Sequence, residues 1–82
     1  MIDYVAIGQR IRRCRRWSDI TQQPLAEMVG CSTSFIGHIE RGSRKLSVET
    51  LCAICDALHV SADQLLGIPQ NSPSLAAGAV II

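Results

Sequence analysis

Apolar side chains recur every three or four positions through most of the first 66 residues, which is the spacing of amphipathic helices. Glycines and serine or threonine N-caps divide this pattern into five segments. No internal repeat and no long polar–apolar alternation interrupts them, so the sequence predicts an all-α domain. The five predicted helices run over residues 4–17, from Thr21 to Gly30, from Ser32 to Gly42, from Ser47 to about His59, and from Ser61 to Gly67.

The first predicted helix has one apolar face and several arginines elsewhere. Its inward face comprises Ile7, Ile11, Cys14, Arg15 and Ser18. The remaining arginines lie on its other faces, where we expect them to be solvated: Arg10, Arg12, Arg13 and Arg16.

The second and third helices are short and joined by a tight turn. Their shared apolar seam and the turn place seven restricted residues at fixed offsets: Leu25, Ala26, Val29, Gly30, Cys31, Ile36 and Ile39. Ala26 must be small where the third helix crosses the second, and Gly30 supplies the left-handed conformation that a sharp turn requires. This spacing is typical of a helix-turn-helix, and the flanking helices must cover its seam.

The last fifteen residues differ from the rest. Pro69, Asn71, Ser72 and Pro73 form a broken polar linker. The following segment, SLAAGAVII, is almost wholly apolar. We therefore divide the chain into a domain over residues 1–67 and a linker with an apolar tail over residues 68–82, for which dimerisation, folding back onto the domain and disorder remain alternatives.

Length and charge narrow the functional classes. The 82 residues suffice for one small domain without a separate sensor domain. The net charge of +1 argues against a strongly cationic protein that binds nucleic acid by charge alone. The charges are unevenly distributed, however: all eight basic residues lie between Arg10 and Lys45, whereas residues 46–82 hold three acids and no base. One half of the molecule is therefore positive.

The four cysteines are expected to be free thiols. The sequence has no signal segment and no apolar run of membrane-spanning length, so we expect a cytoplasmic protein, in which thiols stay reduced. Cys52 and Cys55 have a metal-like spacing, with Cys31 or His59 as further candidates. However, Cys14, Cys31 and Cys55 fall at positions suited to small buried residues, so we expect no metal and no other cofactor.

From Ile7 to Leu66 the chain resembles the lambda repressor and Cro-like family of helix-turn-helix regulators, also called Xre-like. The resemblance rests on four stretches that match in order without a gap: IGQRIRRCR, ITQQPLAEMVGCS, SFIGHIERG and LSVETLCAICDALHVSADQLL. It implies a five-helix domain that places its third helix in the major groove of double-stranded DNA, usually as a symmetric homodimer on a palindromic operator.

Given that geometry, the outward face of the third helix should meet base edges. The predicted base contacts are Thr33, Ser34, Gly37 and His38. Hydroxyl and imidazole groups exchange hydrogen bonds with bases, and we expect Gly37 to let the backbone approach the groove. Phe35 is assigned equally to a base or sugar contact and to the core.

Phosphate contacts are predicted on both sides of this helix. One group comprises Thr21 and Gln22 at the positive end of the second helix. The other follows the third helix and comprises Arg41, Ser43, Arg44 and Lys45. The resemblance also implies that Gln22 braces the third helix.

Two charged residues border apolar stripes and are predicted to pair. Arg15 follows Ile11 by four residues, and Glu40 follows Ile36 by four. A lone charge at such a boundary is costly, and the resemblance implies the same ion pair between the first and third helices. Its role would be structural.

Two positions depart from the family pattern. Pro24 replaces the usual acidic residue, so the capping box at Thr21 is lost, and Leu46 stands where proline is frequent. In addition, the short hydroxyls of Thr33 and Ser34 discriminate bases weakly, which points to modest specificity or to reading of DNA shape.

Three functional classes follow. The first is a sequence-specific DNA-binding transcriptional regulator, with repressor as the favoured role. The second is a protein-interaction module of the same fold, such as an antitoxin. The third, an enzyme or metal sensor, is disfavoured because the sequence holds no nucleophile–base pair, phosphate-cradling glycine loop or four-ligand spacing.

Overall fold

The computed structural model describes residues 1–68, and it confirms the all-α prediction over that range. Five helices follow one another: α1 Tyr4–Trp17, α2 Gln22–Val29, α3 Thr33–Arg41, α4 Val48–Leu58 and α5 Ala62–Leu66. Most of the linker and the apolar tail, over residues 69–82, lie outside the described residues, and so does the predicted dimerisation segment.

Hydrogen bonds from polar side chains define the helix starts. Ser32, Ser47 and Ser61 each accept from the backbone N–H three residues later. Ser61 also forms the predicted capping box with Gln64. Because these caps were recognised in the sequence, the predicted and observed helix starts agree.

Among the five described helices, α2 is the one that begins without such a hydrogen bond. Thr21 is its N-cap, as predicted, but the Thr21 side chain makes no capping hydrogen bond. Pro24 occupies the third helical position and has no N–H to donate. The capping box is therefore lost, as expected, yet α2 still begins at Gln22.

The core lies between α1, the α2–α3 pair and α4, with α5 closing one end. Five side chains are almost completely buried, namely Ile11, Leu25, Ile36, Ile54 and Leu65. The α2–α3 seam is therefore covered by α1 and α4, as a helix-turn-helix requires. Phe35 packs against this core, which favours the packing alternative for this residue.

The crossing of α1 over α3 is unusually close. A Cβ added at Gly8 would lie 2.3 Å from the carbonyl oxygen of Ile39 and 2.6 Å from that of Glu40. Real Cβ atoms do not approach backbone atoms so closely, so only glycine allows α1 to lie this near α3. This contact positions the outward face of α3 relative to the rest of the domain.

Two details of α1 correct the sequence interpretation. Arg10 does not belong to a solvated face: it is half-buried and its Nη1 donates to the carbonyl oxygen of Leu65 at 3.4 Å. Ser18 does not lie on the buried face, because it caps the C-terminus of α1 and is exposed.

The cysteines differ in burial. Cys55 is buried, Cys14 and Cys31 are half-buried, and Cys52 is exposed, all as free thiols. Burial raises the pKa of Cys31 and of Cys55, and for Cys55 the nearby Cys52, Asp56 and Cys14 raise it further. Within residues 1–68, no group of three or more His, Cys, Asp or Glu side chains could hold a metal ion.

Candidate nucleic-acid interface

Helix α3 has one buried and one outward face. Ile36 and Ile39 are 0% and 2% exposed and point into the core. At about 100° per residue, positions 34, 37 and 38 face away from this side and position 33 lies at its edge. The structure thus brings the four predicted base-contacting residues to one face, and their contact with bases stays a prediction.

A tight turn and a serine cap fix the direction of α3. Gly30 ends α2 in the left-handed region at φ 84°, a conformation that favours glycine. Two residues later, the Ser32 hydroxyl accepts from the Phe35 N–H at 3.0 Å. The chain therefore changes direction within these few residues, between the end of α2 and the start of α3.

The outward face of α3 borders a shallow depression of about 300 Å³. Thr33 and Ser34 on its wall are exposed, and His38 is half-buried. Its lining joins the predicted base contacts to one residue of α2 and the last residue of α3: Gln22, Thr33, Ser34, Gly37, His38 and Arg41.

His38 is tied to the loop that follows α3. Its Nδ1 lies 3.0 Å from the Ser43 Oγ, and the Ser43 hydroxyl also donates to the His38 carbonyl oxygen at 3.2 Å. These contacts engage one imidazole nitrogen and leave Nε2 as the nitrogen that could address a base. They also fix Ser43, a predicted phosphate contact, beside the outward face of α3.

Arg41 is the last residue of α3, at the turn where the sequence placed it. Its guanidinium folds back along α3, and a Cβ at Gly37 would lie 3.2 Å from Arg41 Nη1. Arg41 Nη2 lies 3.4 Å from His38 Nδ1. The Arg41 guanidinium therefore lies over the outward face of α3, and its contact with a phosphate stays a prediction.

The other predicted phosphate contacts lie before and after α3 in the chain, and of these Gln22 lines the depression. Thr21 precedes α2 and is exposed, while Gln22 is half-buried. On the other side, Arg44 and Lys45 are exposed in the loop between α3 and α4. The start of α2 thus brings hydrogen-bond donors to the depression, and the loop after α3 carries exposed positive charge.

A buried ion pair joins α1 to α3. Arg15 Nε donates to Glu40 Oε2 at 2.6 Å and Arg15 Nη2 donates to Glu40 Oε1 at 3.1 Å. The two side chains are only 9% and 4% exposed. The predicted Arg15–Glu40 pair is confirmed.

Two further hydrogen bonds extend this pair into a network. Gln22 Nε2 donates to Glu40 Oε1 at 3.0 Å, which confirms that Gln22 braces α3. Arg15 Nη1 donates to the Ile20 carbonyl oxygen at 2.8 Å. The network therefore connects α1, the loop before α2, the start of α2 and α3.

Sequence reasoning missed Gly8 and the placement of Arg41. Gly8 directly follows the inward residue Ile7, and a glycine inside an amphipathic helix was the available signal for a close helix crossing. The fold-back of Arg41 had a weaker signal, namely a glycine four residues before a long side chain.

Comparisons with known proteins agree with this geometry. The helix-turn-helix family model matches residues 11–65. The uncharacterized HTH-type transcriptional regulator YazB of Bacillus subtilis (strain 168) is 41% identical over 58 residues, which are 71% of this chain and 84% of YazB. Antitoxin PezA of Streptococcus pneumoniae serotype 4 is 33% identical over 61 residues, which are 74% of this chain and 39% of PezA.

Solved structures show the same fold. The restriction-modification controller protein C.AhdI from Aeromonas hydrophila superposes with a TM-score of 0.74 at 33% identity, covering 77% of this chain and 96% of C.AhdI. The P22 c2 repressor, solved in complex with the synthetic operator 9T, gives a TM-score of 0.70 at 40% identity, covering 73% of this chain and 91% of the repressor chain.

The helices within residues 1–68 include none with the length and hydrophobicity of a membrane span.

Proposed function

This chain belongs to the helix-turn-helix family of DNA-binding transcriptional regulators, and we propose that it acts as a repressor that inserts α3 into the major groove of an operator. The observation that carries this proposal is the outward face of α3. It presents the hydrogen-bonding side chains Thr33, Ser34 and His38, shares its depression with Gln22 of α2, and is followed by a loop with exposed Arg44 and Lys45. The role is one of binding, not catalysis, and is performed in the cytoplasm.

The proposal divides the contacts by chemistry. Thr33, Ser34 and His38 face the base edges, with Gly37 between them. Thr21, Gln22, Ser43, Arg44 and Lys45 hold the sugar-phosphate backbone on either side. Phosphate contacts supply affinity without reading sequence, whereas base contacts supply specificity.

We further propose that the operator is palindromic and is bound by a homodimer. One half-site offers a single short helix for reading, and a second copy doubles both the base and the phosphate contacts. Leu66 and Ile68 at the end of the domain are 38% and 49% exposed, so this end offers apolar surface to a second chain. The apolar tail over residues 75–82 belongs to the same proposed seam.

Two experiments test this function. The full chain is used to select duplexes from a randomised pool, and we expect a palindromic site to be enriched. Titration of that site at several salt concentrations should give a steep loss of affinity, with a log–log slope of about −0.9 for each phosphate contacted. A chain that binds the selected and scrambled duplexes equally has no operator function.

The oligomeric state is tested separately by sedimentation of the full chain and of Leu66→Lys. We expect a dimer for the former and a monomer for the latter, because a charge at an apolar seam is left unpaired. Removal of residues 73–82 shows whether the tail contributes. If the truncated chain is still a dimer, the dimer interface is formed by the domain without the tail.

An antitoxin of the same fold is the second candidate, and the similarity to PezA is the observation that favours it. The chain spans only 39% of PezA, so the comparison concerns the helix-turn-helix part. Both roles are compatible with operator binding. A toxin gene adjacent to this one, and a stable complex of the two purified products, would favour the antitoxin.

A further inference from the structure

The last residue of α3 lies at the centre of the outward face. Arg41 follows Ser34 by seven residues and Gly37 by four, so at about 100° per residue it projects between these two positions. Its Cα is near the end of α3, away from the helix start that enters deepest into a groove. The reach of its side chain therefore decides what Arg41 can contact.

That side chain runs back toward the start of α3. Side chains on a helix lean toward its N-terminus, and the Arg41 guanidinium lies over Gly37, with Nη1 and Nη2 3.2 Å and 3.7 Å from the position of a Cβ there. Gly37 is buried although it is on the outward face. The guanidinium is thus one turn closer to the helix start than its own backbone.

The guanidinium also has free hydrogen-bonding capacity. Within the described part of the chain, the one hydrogen-bonding group of the protein near it is His38 Nδ1, which lies 3.4 Å from Nη2. Arg41 lines the same depression as Thr33 and Ser34. The side chains of Thr33 and Ser34 are much shorter than that of arginine, so their hydroxyls extend less far from the helix. Arg41 is therefore the longest donor on the reading face.

We propose that Arg41 reads a guanine in the major groove, and that Gly37 provides the space in which its guanidinium lies. This inference rests on the proposed function and changes the assignment of Arg41 from phosphate to base. The planar fork of N–H donors matches the O6 and N7 acceptors of guanine. The contact would give one G·C pair in each half-site more weight than the short hydroxyls can.

The test uses the duplex enriched from the randomised pool and derivatives in which one guanine at a time is replaced by 7-deazaguanine, which lacks the N7 acceptor. For the wild-type chain we expect one position per half-site at which affinity falls about 5-fold or more. Arg41→Ala should bind the natural and the 7-deaza duplex equally at that position.

Two matched variants distinguish a base-specific contact of Arg41 from a general contribution of its positive charge to affinity. Arg44→Ala removes an arginine from the neighbouring exposed loop, and it should weaken binding to both duplexes by the same factor. Arg41→Lys keeps the charge but lacks the fork, so it should keep the salt dependence and lose most of the preference for natural guanine.

The outcomes distinguish this inference from the function on which it rests. If no duplex is enriched, the operator function fails and the assignment of Arg41 fails with it. If a duplex is enriched but Arg41→Ala retains the wild-type preference at every guanine, only the assignment is overturned. The same holds if Arg41→Ala and Arg44→Ala weaken all duplexes alike.

Discussion

The guanidinium of Arg15 and the carboxylate of Glu40 form a two-bond ion pair, with distances of 2.6 Å and 3.1 Å, in the interior between α1 and α3. Glu40 directly precedes Arg41 on α3, and its other partner is Gln22 at the start of α2. The pair thus links the orientation of the reading helix to the two elements that support it.

Glu40→Ala should destabilise the domain by about 3–5 kcal/mol, because it leaves the Arg15 charge buried without its partner. For a domain of this size that is a large part of the total stability. Urea unfolding followed by circular dichroism measures the loss, and we expect DNA affinity to fall with it. A variant as stable as the wild type would contradict the structural role.

The matched control is the double substitution Arg15→Met and Glu40→Leu. Apolar residues of similar volume avoid the unpaired charge, so most of the stability should return. DNA affinity should recover less than stability, because Gln22 then has no carboxylate to hold against α3. Equal recovery of both would show that the pair does not orient α3.

Gln22→Ala should lower the affinity for the selected duplex about 10-fold while costing about 1–2 kcal/mol of stability. The variant loses one hydrogen bond to a buried carboxylate and the amide proposed to hold a phosphate. Gln23→Ala is the control, since Gln23 is the exposed neighbour on the same turn. Anisotropy titrations of both variants should differ clearly, and equal effects would remove Gln22 from the interface.

Most of the fold could be predicted from the sequence, because helix boundaries are marked by local chemistry. Ser32, Ser47 and Ser61 were recognisable N-caps, and Gly30 and Gly42 were recognisable stops. The Arg15–Glu40 pair was predictable because two charges beside apolar stripes need a partner. The caps and stops depend on residues that are close in sequence. The ion pair depends on the free-energy cost of an unpaired buried charge, which a charge of the opposite sign removes.

What could not be predicted depends on distances between helices. An interior glycine such as Gly8 indicates a close helix crossing, but the partner backbone on α3 and the bond from Arg10 to α5 depend on the crossing angles of α1, which the sequence pattern does not give. The fold-back of Arg41 over Gly37 depends on a side-chain rotamer. For the candidate site, the sequence predicted which residues share the outward face of α3 but not how the longest side chain lies on it.

Gly8→Ala should destabilise the domain by about 2–3 kcal/mol. Alanine favours the helical backbone by up to about 1 kcal/mol, but its Cβ would meet the Ile39 and Glu40 carbonyl groups, and forcing the helices apart costs more. Gly30→Ala serves as the comparison: its Cβ would meet open space, and only its φ of 84° opposes the change, at about 1 kcal/mol. Urea unfolding should rank Gly8→Ala as the more damaging substitution.

Pro24→Glu should stabilise the domain by about 0.5–1 kcal/mol. A glutamate at this position has a backbone N–H, which can donate to the Thr21 hydroxyl and so supply the capping bond that is missing. Its carboxylate also lies near the positive end of α2. Pro24→Ala, which restores the N–H alone, should gain less. Because the new charge lies beside the proposed phosphate contact at Gln22, the Glu variant should also bind the selected duplex more weakly. A Glu variant less stable than the Ala variant would refute the capping argument.

The stability of the domain should fall at alkaline pH, in part because of Cys55. Burial, together with Cys52, Asp56 and Cys14, raises the pKa of this thiol in the folded chain, so the unfolded chain loses its proton first as pH rises. The corresponding stability is complete below about pH 8.5, the usual pKa of a free cysteine, and is lost as pH rises through the folded pKa.

Unfolding free energies measured from pH 7.5 to pH 10 test this origin of the alkaline loss. Cys55→Ala should flatten the decline, leaving a smaller contribution of the same sign from Cys31, whose pKa burial also raises. Cys52→Ser alters an exposed neighbour on the same helix and should retain most of the decline. If Cys55→Ala and the wild type lose stability in parallel over this range, the buried thiol is not the group responsible.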